Sequence, residues 1–282
     1  MKKIKSYSKI NLFLKVYGKV NRYHQLYSLI SQINLYDEIS IRENSKKKNY
    51  FYLSGPFKIS IKDNTISKLL ELMKKEFQIL RNKNFNFYIK KNIPSGSGLG
   101  GASSNATAIF SYLVKKYQLK ISRKKSLKIL DKVGKDCALF INQKTKLIQS
   151  SGSKFYEYKE KLKLNLLIIY PNINLPTSQV FKRLKSHSKI SKKKIILSDK
   201  IRLIEICKLY GNDLLQPALG ISSRLGVLLK LIQKSVRGDF YSMTGSGSAF
   251  FIISHNKKSL LNIKKIITKQ RNSFWTKLVK TV

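Results

Sequence analysis

Apolar residues recur at two spacings along this chain. Near the amino terminus they come in the short runs and alternations of strands, at Ile10–Tyr17, Tyr27–Ile33, Glu38–Arg42, Phe51–Leu53 and Phe57–Ile61. The period then changes. Ile66, Leu69, Leu70 and Met73 are spaced as one helical face, which predicts a helix over 65–77, and FNFYIKK at 85–91 alternates again as a half-buried strand. A glycine-rich turn follows, then an apolar helix over 103–117 and a third helix, capped by Ser122, that carries Leu127, Leu130 and Val133. The second half opens with a strand at 164–170. Helices are expected near 177–184, 199–209 and 220–235, then a strand at 248–253, a helix at 257–268 and a strand at 273–280. Strands and helices that do not alternate regularly indicate an α+β fold, and two lobes are expected, 1–150 and 151–282.

Composition sharpens this picture. A chain of 282 residues with 42% apolar content can bury one large core or two ordinary ones. No apolar run approaches the roughly 18–20 residues of a membrane span. The apolar stretch of the first 18 residues holds Asn11, ends at Lys15 and lacks a small-residue cleavage site, so it reads as mature protein rather than a secretion signal. Only Cys137 and Cys207 are present, too few for a disulfide framework or a cysteine metal site, and a cytoplasmic location is expected. Net charge is +43, which by default suggests nucleic acid. The basic residues are 48 Lys and 9 Arg, however, and base readout and bidentate phosphate clamping favour Arg. The Lys is spread along the chain among abundant Ile, Asn, Tyr and Phe, as an AT-rich genome would produce. Compositional bias plus an anionic small substrate is the preferred reading, with polynucleotide binding the rival. The most basic stretch, KRLKSHSKISKKK at 182–194, reads as a solvated loop.

The informative segment is PSGSGLGGASSN, Pro94 to Asn105, between a strand and a helix. Free backbone N–H groups and the positive helix end make such a place an anion site. Gly96, Gly98, Gly100 and Gly101 let phosphate oxygens approach the backbone, and Ser103 and Ser104 add hydroxyls at the helix start. Four glycines in six residues exceed what a turn needs. A Walker A loop is excluded, because no Gly-Lys is followed by Ser or Thr. Gly96, Gly98 and Gly101 fit the dinucleotide fingerprint, but no Asp or Glu lies between Glu76 and Asp131 to hold a ribose. No H-R-D or D-F-G follows, which excludes a protein kinase.

The segment resembles the phosphate loop of the GHMP kinases, P-x-G-x-G-L-G-G-x-S-S-N. Ser8-Lys9-Ile10-Asn11-Leu12 is similar to that family's first motif and Met243-Thr244-Gly245-Ser246-Gly247-Ser248 to its third. KINLFL at 9–14, Tyr23-His24, Asp63-Asn64, Gly134-Lys135-Asp136, Pro176-Thr177 with Phe181, and Asn212-Asp213-Leu214 resemble the branch that phosphorylates a cytidine-diphosphate-linked polyol of the non-mevalonate isoprenoid route. The likeness runs from residue 8 to about 252. It departs at Asn21-Arg22, where Asp-Gly is usual, at Ala138 for Pro, at Ala102 for Gly or Ser, and at Thr107 for Ala. The resemblance implies a two-lobed fold, with an N-terminal ATP-binding domain of the ribosomal-protein-like type and a ferredoxin-like C-terminal domain. Homoserine- or mevalonate-type kinases, and a non-catalytic RNA-binding protein on a degenerate kinase fold, remain as alternatives.

Phosphoryl transfer to an alcohol needs held phosphates, neutralised charge and a hydroxyl relieved of its proton. Of 14 carboxylates, most lie in Lys-rich stretches, whereas Asp136 sits among Gly134, Cys137, Ala138, Leu139 and Phe140. Residue by residue it is a base or a helix N-cap; the resemblance implies the base. The resemblance likewise singles out Lys9 as its partner, and at about 4 Å such a pair is worth about 4 kcal/mol at an effective dielectric near 20. Pro94, Ser95, Gly96, Ser97, Gly98, Leu99, Gly100, Gly101, Ala102, Ser103 and Ser104 would hold the triphosphate, with Asn64 facing the nucleoside of ATP. Tyr23 and Phe181 would sandwich the cytosine and His24 bond its edge, with Asn11 and Thr177 on the rest of the substrate. ATP chemistry implies Mg²⁺; no carboxylate ligand set stands out, and Ser104 is a weak candidate ligand. The expected partners are a small-molecule substrate and ATP, with no preference between monomer and dimer.

Overall fold

The computed structural model describes residues 3–21, 23–57, 65–150, 154–191, 193–269 and 274–282. By packing, these fall into two units. The first comprises Met1–Ser8, Leu35–Ser95 and Gly100–Gln143; the second comprises Lys9–Asn34, Gly96–Leu99 and Lys144–Val282. The sequence reading placed one boundary near residue 150. The chain instead passes between units several times, the last between Gln143 and Lys144. This interleaving follows from two long strands, β1 (Ile4–Val20) and β2 (Tyr23–Asn44), each of which runs through both units.

In the first unit, β4 (Asn84–Lys90) lies antiparallel to β2, with Ile39 opposite Ile89 and Ile41 opposite Phe87, and parallel to β3 (Tyr50–Ser54). Phe85, Phe87 and Ile89 alternate inward as their spacing predicts. Three helices complete the unit: α1 (Thr65–Glu76), α2 (Gly101–Lys116) and α3 (Arg123–Val133). They bury Leu69, Leu70 and Met73, then Ile109, Phe110 and Leu113, then Ile129, Leu130 and Val133. The Ser122 hydroxyl caps α3 by accepting from Lys125 N. Of the expected α3 positions Leu130 and Val133 are buried, while Leu127 is only partly covered and Ile129 joins the buried face.

In the second unit, β5 (Lys146–Ile148) pairs antiparallel with β2, and β6 (Phe155–Glu157) with β5. A separate antiparallel sheet has the order β10-β7-β9-β8, from β7 (Asn165–Tyr170), β8 (Phe240–Met243), β9 (Phe250–Ile253) and β10 (Trp275–Lys280). Its core joins Leu167, Ile169, Phe250 and Ile252 to Leu228, Ile232, Ile263 and Ile267. The last four come from α7 (Ser223–Ser235) and α8 (Lys257–Thr268). The short α4 (Thr177–Lys182), α5 (Lys200–Tyr210) and α6 (Leu215–Leu219) fill the connection.

The α+β class matches expectation. Tyr27–Ile33 and Glu38–Arg42 belong to the single strand β2, because nothing between them breaks the pleat. The expected strand at 57–61 falls largely outside the described residues. The stretch after α4 is irregular, as expected of the basic segment, yet it is anchored: Ser188 N donates to Val16 O, and Tyr210 Oη accepts from Lys193 N.

Candidate active site

Gly96, Gly98 and Gly100 all adopt positive φ (60°, 77° and 74°), so the segment between β4 and α2 winds through conformations that favour glycine. Close approach matters as much as torsion. A Cβ on Gly98 would stand 2.2 Å from Thr244 O and 3.0 Å from Gly247 O, in the turn between β8 and β9. The loop carbonyl of Ser97 accepts from Ala249 N at 3.1 Å, and Lys9 N donates to Leu99 O at 2.9 Å. The first and third sequence motifs are thus packed on the glycine segment Gly96–Leu99.

Lys9 is buried, 4% exposed, and its ammonium donates to Asn11 Oδ1 at 2.6 Å. A Cβ on Gly245, whose φ is +58°, would stand 3.3 Å from the same ammonium, a tighter approach than ordinary van der Waals contact. Asn11 is itself committed: Nδ2 donates to Ser28 Oγ at 2.8 Å and its backbone N–H to Thr244 Oγ1 at 3.0 Å. Asn11 was expected on the substrate; in the structure its side chain orients Lys9.

Helix α2 begins at Gly101, two residues before the expected start, with left-handed Gly100 as N-cap. By helix geometry the amides of Gly101, Ala102 and Ser103 have no intrahelical acceptor, and they carry the positive end of the helix dipole. Ser104 differs from expectation. Its amide bonds to Gly100 O at 2.9 Å, and its buried hydroxyl donates to Tyr7 O while meeting Ser6 Oγ, both at 2.6 Å. Pro94, Ser95 and Ala102 lie on the same stretch, with Ser97 and Leu99 buried.

The loop entrance rests on a buried ion pair that sequence reasoning missed. Asp37 is fully buried and accepts from Asn92 N at 2.7 Å, Ile93 N at 2.9 Å, Asn105 Nδ2 at 3.0 Å and the Lys91 ammonium. One carboxylate therefore ties the chain entering the loop to the helix leaving it. Lys91 is one of 48 lysines, and nothing in its neighbourhood marks it.

Asp136 is partly exposed and stands at the N-cap position of a short 3₁₀ turn, Cys137–Phe140. Its side chain makes no capping hydrogen bond, so capping does not account for this carboxylate. The Thr107 hydroxyl, on α2, is shared between Cys137 O (2.7 Å) and Ser103 O (3.0 Å), fixing the backbone next to Asp136. Cys137 is buried with its thiol pushed up to about 12, chiefly by desolvation, so it stays protonated and no nucleophile competes there.

The His24 ring stacks on Phe181, centroids 4.6 Å apart and planes at 24°. Phe181 was expected to face a pyrimidine opposite Tyr23, with His24 at the edge. In the structure the imidazole covers one face of Phe181. Burial, then Lys19, then His187 lower the His24 pKa, so the ring is neutral at pH 7. Its Nδ1 is buried with no hydrogen-bond partner among the described residues. Tyr23 is 36% exposed. Thr177 opens α4, exposed, with its hydroxyl 2.9 Å from Ser246 Oγ in the β8–β9 turn. Asn64 and Arg22 lie outside the described residues.

Known proteins are similar to this chain over nearly its whole length. Residues 64–143 match the family model described as the GHMP kinases N terminal domain. A 4-diphosphocytidyl-2-C-methyl-D-erythritol kinase from Pelagibacter ubique is 33% identical over 283 residues, covering 99% of each chain. The chain belongs to this kinase family. It is a small-molecule kinase of the GHMP fold. A crystal structure of 4-(cytidine 5′-diphospho)-2C-methyl-D-erythritol kinase matches with a TM-score of 0.77 at 20% identity, covering 99% of each chain. The Methanococcus jannaschii mevalonate kinase matches with a TM-score of 0.68 at 17% identity, over 100% of this chain and 98% of the other. GHMP kinases use ATP, which fits the loop. Among the described residues no group of three or more His, Cys, Asp or Glu could hold a metal ion, and the Ser104 hydroxyl is already bonded within the chain. No helix among the described residues is long and apolar enough to cross a membrane.

Proposed function

We infer that this chain transfers the γ-phosphoryl group of ATP to the 2-hydroxyl of 4-diphosphocytidyl-2-C-methyl-D-erythritol, in isoprenoid precursor biosynthesis. The observation that carries the choice of substrate is His24, a neutral imidazole stacked on Phe181 with a buried, unpartnered Nδ1. A buried polar atom without a partner costs about 1–3 kcal/mol, which a ligand that bonds it recovers. The edge of a cytosine offers both a donor and an acceptor; homoserine and mevalonate have no ring to place there.

In this reading the backbone from Pro94 to Ser103 receives the triphosphate, with the α2 amides facing its charge. Asp136 accepts the proton of the attacking hydroxyl, and Lys9, held by Asn11, supplies positive charge to the transfer. Mg²⁺, bound through the triphosphate oxygens, would supply neutralisation of their charge. Asn64 faces the nucleoside of ATP, Tyr23 adds an aromatic surface, and Thr177 contacts the polyol diphosphate. The partners are small molecules rather than nucleic acid, and the enzyme works in the cytoplasm.

Calorimetric titration with CDP tests the nucleoside corner directly. Wild type should bind CDP, and His24→Ala should weaken binding about 10-fold or more, while affinity for a non-hydrolysable ATP analogue stays within twofold. Equal CDP affinity in both proteins would contradict the assignment.

A further inference from the structure

Asn212 and Asp213 stand in a motif to which no chemistry has been assigned, and the structure gives Asn212 a specific task. Its Nδ2 donates to Met243 O at 2.7 Å and to Gly245 O at 2.9 Å, while its Oδ1 accepts from Leu214 N at 2.9 Å. One amide thus grips the β8–β9 turn at two carbonyls and is itself held by the chain entering α6. The backbone beside it is fixed as well, since Leu14 N donates to Gly211 O and Asp213 N to Leu14 O, with Asp213 accepting from Val16 N at 2.7 Å and from the Lys15 ammonium.

The gripped turn meets two pieces of the catalytic apparatus. Thr244 O and Gly247 O lie against Gly98, and Gly245 lies against the Lys9 ammonium. Thr244 Oγ1 accepts from Asn11 N, and Asn11 Oδ1 receives Lys9. A turn free to shift by an ångström would move Gly98 and the lysine together. Misplacement on that scale costs on the order of 10² in rate.

We propose that Asn212 is a positioning residue for phosphoryl transfer, setting the β8–β9 turn that holds the phosphate-loop glycine and Lys9 in register. The proposal rests on the kinase reading above. Asn212 touches neither reacting group, so its effect passes through Gly98 and Lys9.

The test compares wild type with Asn212→Asp, Asn212→Ser and Ile232→Val. Asp keeps the size of the side chain and the acceptor for Leu214 N, but loses both donors. Ser keeps one donor on a shorter arm. Ile232 is fully buried in the core between α7 and the second sheet, and its Val variant is the stability control. Melting temperature, affinity for a non-hydrolysable ATP analogue, and kcat and KM with ATP and the cytidylyl alcohol are measured for each. Asn212→Asp is expected to lose on the order of 10²-fold in kcat/KM for ATP and at least 10-fold in analogue affinity. Asn212→Ser should fall between it and wild type, and Ile232→Val should stay within twofold of wild type at equal or lower melting temperature than Asn212→Ser. Analogue affinity does not need the alcohol. A wild type that binds the analogue without phosphorylating the alcohol would refute the substrate and leave the affinities to judge Asn212. Asp and Ser variants within twofold of wild type, or losses that merely follow melting temperature across all three variants, would overturn the proposal.

Discussion

At the scale of single residues, the chemistry depends on how a few side chains are held. Lys9 is oriented by Asn11, and Asn11 by Ser28 and Thr244. Removing either of the groups proposed for the transfer, by Lys9→Ala or Asp136→Asn, should lower kcat by roughly 10²–10⁴ without loss of folding, measurable by steady-state kinetics beside circular dichroism. Thr107 illustrates a quieter role. Thr107→Val leaves the Cys137 carbonyl without its donor inside a buried site, so unfolding free energy should drop by about 1–3 kcal/mol in a denaturant titration. An unchanged midpoint would mean that water replaces the hydroxyl. His24 sets a pH dependence. Its pKa in the folded chain lies below the ordinary 6.5, so the stability associated with the neutral ring is complete above pH 6.5. That stability is lost as pH falls from there through the lowered value. KM for the cytidylyl substrate should accordingly stay flat from pH 8 down to 6.5 and rise only below it; a rise that begins above 6.5 would contradict a neutral, desolvated imidazole.

At the scale of elements, the phosphate loop is held from both of its sides. Asp37 and Lys91 tie its entrance to α2, and the β8–β9 turn packs on Gly98. Breaking a buried pair by removing one partner leaves an uncompensated charge, so Lys91→Met should cost about 3–5 kcal/mol, read as a lowered denaturation midpoint. Gly98→Ala should be worse than torsion alone explains, because its methyl would meet the backbone oxygen of Thr244 at 2.2 Å. Gly238 is the natural comparison. It has φ of +82° but nothing within 4 Å of a Cβ, so Gly238→Ala should cost only about 1–2 kcal/mol of strain and leave nucleotide binding intact.

The legible and illegible parts divide along the same lines. Loop, flanking strand and helix could be read from glycine spacing and apolar period, because torsion and burial act locally. The α8 bounds came out as expected, since its apolar stripe and its Asn256 cap are both local. The three-residue strands β5 and β6 could not be read. Lys146, which opens the first of them, is fully buried against its type, and so short a run has no period. The functions of Asp37, Lys91 and Asn212 were equally hidden, because each depends on partners more than thirty residues away. The stacking of His24 on Phe181 was hidden for the same reason: residue type suggests what a ring can do, and only packing says which face is used.

At the scale of the whole molecule, 57 basic side chains face 14 acidic ones. The ion pairs include exposed contacts such as Lys75 with Glu71, which contribute little individually. Self-repulsion of this size should make the fold anion-dependent: melting temperature should climb as salt is raised from about 0.05 to 1 M, where the Debye length shrinks to about 3 Å. A melting temperature indifferent to salt would show that the charges are already compensated. The same excess is the origin of the nucleic-acid alternative, and salt separates the two. Polynucleotide binding would fall by orders of magnitude between about 50 and 200 mM, whereas turnover of a small substrate in a built site falls far less.

The central claim is that this chain is a kinase for a cytidine-diphosphate-linked methylerythritol, with Asp136 as the base. The most direct test is ATP turnover by the purified protein with 4-diphosphocytidyl-2-C-methyl-D-erythritol, homoserine and mevalonate in parallel, alongside Asp136→Asn. Turnover on the cytidylyl substrate alone, reduced by at least 10²-fold in the variant, is the predicted result. Equal turnover on homoserine or mevalonate, or an Asp136→Asn enzyme as fast as wild type, would contradict it.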